Sequence, residues 1–231
     1  MTAAMITLAN LRFRWQAAGP DILDIADFNV AAGKRVFLRG PSGSGKTTLL
    51  NLLGGVATPQ TGKVQVMGTD LTGLSSANRD AFRADHIGFI FQLFNLVPYL
   101  GLIENVTLPC RFSRTRRNRA TRSGTLEVEA ERLLTQMHLD VPALRTRPVA
   151  ELSVGQQQRV AAARALIGAP ELIIADEPTS SIDADARDAF LDLLFTEVDA
   201  AKSTLLFVSH DAGLEPRFET TVHLPEINRA A

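Results

Sequence analysis

The chain has 231 residues, 45% of them hydrophobic and 21% charged, with a net charge of −1. That length suits one domain with subdomains, and the near-neutral balance gives no general attraction to nucleic acid. A single cysteine, Cys110, excludes an internal disulfide and fits a reducing compartment. The start is not leader-like, and no run approaches the ~20 apolar residues of a membrane helix. Any work at a membrane is therefore expected to go through another protein.

Alternating Met5, Thr7, Ala9, Leu11 and Phe13 predict an N-terminal strand, and residues 22–30 a second. RVFLRG (35–40) reads as a buried strand entering a glycine-rich loop. A helix is expected from Lys46 to about Gly54, then strands at 63–68 and 86–92. Residues 125–138 read as helix, and ELIIADEP (171–178) as a short apolar strand ending in two acids. A helix over 184–199, a strand over 204–209 and a last short strand over 221–225 complete the chain. Strand–helix alternation with apolar central strands predicts a mainly parallel α/β sheet. The polar, helix-rich middle, about 93–162, breaks that rhythm and is expected to be a subdomain of a core spanning about 1–92 and 163–231.

GPSGSGKTT (40–48) fits G-x-x-x-x-G-K-[ST] between a strand and a helix. Gly40, Gly43 and Gly45 let the backbone curl so that successive N–H groups face a phosphate, with Pro41, Ser42 and Ser44 between them. Lys46 is placed to reach the β- and γ-phosphates of a nucleotide, Thr47 to ligate Mg²⁺, and Thr48 to add a phosphate contact. Asp176, closing an apolar strand, suits Mg²⁺ through water, and Glu177 suits proton abstraction from an attacking water. Gln92 and His210 also follow apolar strands, and strand ends of a parallel sheet are where α/β ligand sites are built. ELSVGQQQRVAAARAL (151–166) adds a second anion site: a Ser/Gly turn opening an Ala-rich helix, with free N–H groups and the positive dipole end.

With these landmarks in this order, and SSID (180–183) before His210, the chain resembles the nucleotide-binding subunits of ABC transporters over nearly its whole length. The resemblance implies a P-loop NTPase (RecA-like) α/β core, an N-terminal antiparallel β subdomain and an inserted α-helical subdomain. It implies an ATPase using ATP and Mg²⁺, in which two copies meet head to tail. Each ATP then lies between the P-loop of one copy and the signature turn of the other, which explains the two anion sites. On that likeness Ser153, Gly155 and Gln156 contact the partner's nucleotide, and Asp183 links the two sites. Gln92 senses Mg²⁺ and water, Glu177 is the base, His210 holds the γ-phosphate, and Trp15 stacks on adenine, with Phe13 as the alternative ring.

The signature departs from the family's LSGGQ: Val154 stands at the first glycine. A β-branched residue does not suit positive φ, so an ordinary backbone is expected there. The Asp-Gly hairpin common after the histidine in relatives is missing.

FIFQLFNLVPYLGLIENVTLP (89–109) resembles the subgroup serving lipoprotein release and macrolide or peptide efflux. The expected partner is a separate membrane permease, at the cytoplasmic face of the inner membrane. Phe94, Leu96, Val97, Leu100 and Leu102 are read either as a groove for the permease or as core of the helical subdomain. The alternatives to transport are force transmission to a membrane partner, or a soluble ATPase acting on ribosomes or DNA. One domain, no sustained heptads and neutral charge argue against nucleic acid. RFSRTRRNRATR (111–122), six arginines without an acid, reads as a solvated helix face or loop, or as a contact for anionic lipid headgroups.

Overall fold

A computed structural model describes residues 4–180 and 182–230. The first elements are β1 (Ala4–Phe13), β2 (Leu23–Ala31), β3 (Arg35–Arg39), α1 (Lys46–Leu53), β4 (Thr61–Val66), β5 (Thr69–Asp70) and α2 (Ser76–His86). Next come β6 (Ile87–Ile90), α3 (Leu102–Thr107), α4 (Pro109–Phe112), α5 (Arg114–Ala120), α6 (Leu126–Gln136), α7 (Val141–Leu144) and α8 (Val154–Leu166). The last are β7 (Leu172–Asp176), α9 (Ala184–Ala201), β8 (Thr204–Val208), β9 (Thr220–His223) and α10 (Leu224–Ile227). They form two compact units: residues up to Arg83 together with those from Thr204 onward, and Ala84–Ser203. The α/β class and the antiparallel N-terminal sheet are as expected.

In the first unit β2, β1, β4 and β5 form an antiparallel sheet in that order. The strand expected at the N-terminus is present, but its inward face is not the one that simple alternation suggests. Ile6 and Leu8 are buried before Asn10, and Leu11 and Phe13 after it. A register shift against β4 between Ala9 and Arg12, with Asn10 at φ 50, inserts the extra residue that changes parity. Gly62 lies opposite with φ +86, where an added Cβ would meet the Asn10 carbonyl oxygen at 2.3 Å.

The same unit holds a parallel set in the order β8, β3, β9. Val36, Phe37 and Leu38 are all buried, the continuous apolar run of a strand covered on both faces. Phe37, Phe207 and Phe218 pack with centroids 5.1–6.2 Å apart; Phe37 and Phe207, both fully buried, each stabilise the fold by about 2–3 kcal/mol. The last strand is shorter than expected: Pro225 in the first turn of α10 turns Leu224 onward into a helix instead of strand. Helix α2 is an addition, and it takes His86 away from the strand expected over 86–92, leaving Ile87–Ile90. It buries no side chain of its own, so no apolar period announces it. Arg79 and Arg83 fix it instead, donating to the Gly55 and Gly54 carbonyls at 3.2 Å each, just past α1.

In the second unit β6 and β7 pair in parallel. α8 is packed against β6: Val160, Ala161, Ala162 and Ala163 are fully buried, and a Cβ on Gly88 of β6 would meet the Ala165 carbonyl oxygen at 2.3 Å. Alanines on one side and glycine on the other permit that approach. α9 contributes Phe190, Leu191, Leu194 and Val198 to the core. Every regular element named from Leu102 to Leu166 is helix or a single 3-10 turn.

Candidate functional site

The loop between β3 and α1 has the conformation its glycines allow. Gly43 and Gly45 adopt φ 82 and φ 98, in the left-handed region. An added Cβ at Gly45 would meet Leu23 Cδ2 at 2.9 Å and the Ile22 carbonyl oxygen at 3.2 Å; at Gly40 it would meet Ser44 Oγ at 2.6 Å. Lys46 is buried, and its Nζ donates to the Gly40 and Pro41 carbonyls at 2.7 and 2.9 Å. The ammonium therefore sits at the loop itself. Ser44 Oγ is buried without a hydrogen-bond partner among the described residues. Thr47 is exposed and Thr48 buried. These features fit a phosphate and a hard cation held through oxygen.

Two clefts flank the loop. One, of about 410 Å³, joins Gly40 and Pro41 to Arg39, His210, His223 and Glu226. The expected γ-phosphate ligand His210 is thus brought to the loop. The other, of about 360 Å³, is lined by Asp21, Ile22, Pro41, Ser42, Gly43, Ser44 and Asn228, among others. Asn228, which the sequence did not single out, donates to the Ile22 and Ser44 carbonyls at 3.0 and 3.4 Å and accepts from Asp24 N–H at 2.8 Å. The C-terminal segment thereby braces the loop. Trp15 is 60% exposed, while Phe13, edge-on to it at 4.8 Å, is 4% exposed. Of the two rings only Trp15 is free to stack on a ligand.

In the second unit Ser153 is the N-cap of α8 with a complete capping box. Its Oγ accepts from Gln156 N–H at 3.3 Å, and its own N–H donates to Gln156 Oε1 at 2.9 Å. The Gln156 side chain is thus engaged within the turn. Val154 is the first residue of the helix, outside the left-handed region and 49% exposed, as expected for a β-branched residue there. Gly155 has open space where a Cβ would stand.

Asp176 closes β7, and Glu177 follows at φ 45, a left-handed conformation that costs a non-glycine residue of order 1 kcal/mol or more. Gln158 of α8, 1% exposed, donates to the Pro178 carbonyl at 2.9 Å and holds the far side of that turn. Asp183 caps α9, accepting from Ala186 N–H at 2.9 Å. Its neighbour Ser181, in the SSID motif, lies outside the described residues.

Gln92 is exposed two residues past β6. Of the apolar residues that follow, Phe94 and Leu102 are core and Leu96, Val97 and Leu100 are half-buried, whereas Leu93 and Tyr99 are 82% and 78% exposed. Phe94 and Leu102 thus follow the core reading, while the exposed side chains, Leu93 and Tyr99, are not among the residues read as a permease groove. Asn105, fully buried, organises it: the side chain accepts from Val97 N–H at 2.8 Å and donates to the Val97, Leu100 and Gly101 carbonyls. Arg164, on α8, donates to the carbonyls of Phe94 and Asn95. Burial pushes its guanidinium down to about 10, so it stays charged at neutral pH. It sits in a stretch read simply as an Ala-rich helix. Its signal, an arginine flanked by alanines on a helix otherwise buried, is visible only in retrospect.

The arrangement is that of an ATP-binding cassette. The chain is similar to the solved cassette MJ0796, as a dimer in a post-hydrolysis state bound to ADP and Pi, with a TM-score of 0.81, 31% identity, and 95% of this chain and 94% of that one covered. Residues 23–180 match the ABC transporter family model. The chain belongs to that family, as one of its ATPase cassettes. It is 38% identical to the lipoprotein-releasing system ATP-binding protein LolD of Syntrophotalea carbinolica, over 97% of this chain and 96% of that protein. It is also 38% identical to the uncharacterized ABC transporter ATP-binding protein Rv0986 of Mycobacterium tuberculosis, over 97% and 91%. Among the described residues no helix is long and apolar enough to cross a membrane.

Proposed function

We propose that the chain dimerises on ATP and drives a separate membrane permease that extracts or exports lipoprotein, peptide or drug-like substrates. The observation that carries this reading is the built phosphate loop, with Lys46 held on the Gly40 and Pro41 carbonyls and His210 in the adjoining cleft. The near full-length likeness to a lipoprotein-releasing ATP-binding protein supports the substrate class. The helical segment, about 93–162, is the subdomain that meets the permease, and the location is the cytoplasmic face of the inner membrane.

The loop N–H groups from Gly43 to Thr48 bind the phosphates, and Lys46 turns to the β- and γ-oxygens when they displace its contacts with the loop carbonyls. Trp15 stacks on the adenine. Thr47, Gln92 and Asp176 would hold Mg²⁺, which would supply neutralisation of charge on the phosphates. Glu177 takes the proton of the attacking water, and His210 steadies the γ-phosphoryl group. In the second copy Ser153 and the N–H groups near Gly155 meet the same nucleotide at the start of α8, where the helix dipole favours an anion. Asp183 lies at that junction.

Glu177→Gln, purified with Mg-ATP from gently solubilised cells, is the test. A stoichiometric membrane permease in the eluate, with turnover cut at least ~100-fold and ATP binding retained, supports the reading. A soluble homodimer alone, or ribosomes or DNA, overturns the transport assignment. Near-normal turnover removes Glu177 as the base.

A further inference from the structure

The Arg-rich stretch divides into two sets of side chains with opposite fates. On α5, Arg116 and Ala120 are buried, and Ser113, just before the helix, is buried on the same stripe. Arg116 donates to the carbonyls of Arg164, Ala165 and Ile167 at the end of α8, the last at 2.6–2.8 Å. Arg119 pairs with Glu171 at 2.6 Å. Ser113 and Thr115 donate to Asp85, at 2.5 and 3.1 Å. These contacts fix the rotation of the helix.

The remaining arginines are turned outward by the same geometry. Arg114 and Arg117, one turn apart, lie to one side of the stripe of 113, 116 and 120. They are exposed, as are Arg111 and Arg122, and none of the four has a carboxylate partner among the described residues. Between Arg111 and Ser113 stands Phe112, 76% exposed. A displayed ring inside an unpaired cationic cluster is poorly served by water. Three exposed guanidinium groups and a phenyl ring within residues 111–117 match a surface that carries phosphates above an apolar layer.

We propose that the face formed by Arg111, Phe112, Arg114 and Arg117 binds an anionic lipid bilayer, the arginines on headgroup phosphates and Phe112 set into the interface. Guanidinium groups present paired donors that suit phosphate oxygens. The ring distinguishes lipid from a nucleic acid, because a bilayer offers it hydrocarbon directly beneath the phosphates. The net charge of −1 makes the attraction local to this face. The inference does not depend on which permease the chain serves.

The test is sedimentation of the whole chain with vesicles of phosphatidylcholine alone or with about one-third phosphatidylglycerol. Wild type is expected to sediment with the anionic vesicles only, and less so as salt rises. At about fivefold per arginine, the variant carrying Arg111→Glu, Arg114→Glu and Arg117→Glu loses at least about a hundredfold in partitioning. Phe112→Ser weakens binding and leaves the residual binding more sensitive to salt. Basal ATP turnover and thermal melting stay close to wild type in both, since exposed substitutions alter stability little. Failure of wild type to bind anionic vesicles, equal binding to neutral ones, or undiminished binding by the triple variant overturns the proposal. So does binding of a short DNA duplex through these arginines with no binding of vesicles.

Discussion

Arg164 on α8 ties down the backbone of Asn95, its Nη1 donating to that carbonyl at 2.6 Å while Nη2 donates to Phe94. Both tethered residues lie in the left-handed region, Phe94 at φ 60 and Asn95 at φ 50. Two successive non-glycine residues there carry strain, and one buried charge holds them. The tether joins the helix that begins at Ser153 to the segment that follows Gln92.

Arg164→Met should therefore do two things. Leaving the Phe94 and Asn95 carbonyls without a donor is expected to destabilise the fold by about 2–4 kcal/mol, read by chemical denaturation. In the folded fraction, turnover should fall while ATP affinity at the Lys46 loop is unchanged. A matched loss of both would mean that the contact serves stability alone.

Lys46→Met removes the proposed phosphate ligand and also the donor to Gly40 and Pro41. Nucleotide binding, measured by calorimetry, should be lost. The nucleotide-free protein should also lose about 1–2 kcal/mol of stability, because the ammonium supports the loop before any ligand arrives.

Two glycines separate folding from contact across copies. Gly45→Ala forces a side chain onto φ 98 and into Leu23, and should cost about 2 kcal/mol or more in melting experiments. Gly155→Ala meets nothing within 4 Å on a helix, and should leave the monomer as stable or up to ~1 kcal/mol more so. Loss of ATP-driven dimerisation in Gly155→Ala, seen by size exclusion, would then be a defect of contact alone.

Glu171 supplies the pH dependence. Burial raises its pKa, but hydrogen bonds from His86 at 3.1 Å and Arg119 at 2.6 Å outweigh that and bring it down to about 2. With the folded value below the unfolded one, its stabilisation is complete above about 4.5 and is lost as pH falls toward 2. Glu171→Gln should cost about 1–2 kcal/mol at pH 7, and distinctly less at pH 3, measured by urea unfolding at both.

Motifs whose chemistry is local were legible in the sequence. The phosphate loop needs glycines at fixed spacing, and Gly43 and Gly45 are where the backbone turns left-handed. Val154 excluded a left-handed backbone and sits in a helix. The long apolar strands and α9 followed from periodicity. What escaped was held by polar contacts to distant backbone. α2 has no buried residue and depends on Arg79 and Arg83. The bulge at Asn10 reversed the face of β1, because parity in a strand is lost with a single inserted residue. Arg116, Arg164 and Asn228 do their work on main-chain carbonyls far along the chain, and nothing in their immediate neighbours signals it.

Trp15 is the chain's single tryptophan, exposed and touching Phe13 edge-on. Intrinsic fluorescence excited at the indole band therefore reports from one position, with no background from the core or from the helical segment. An adenine ring laid on that indole would quench it, and release would restore it. Each catalytic cycle can thus be followed optically without a label.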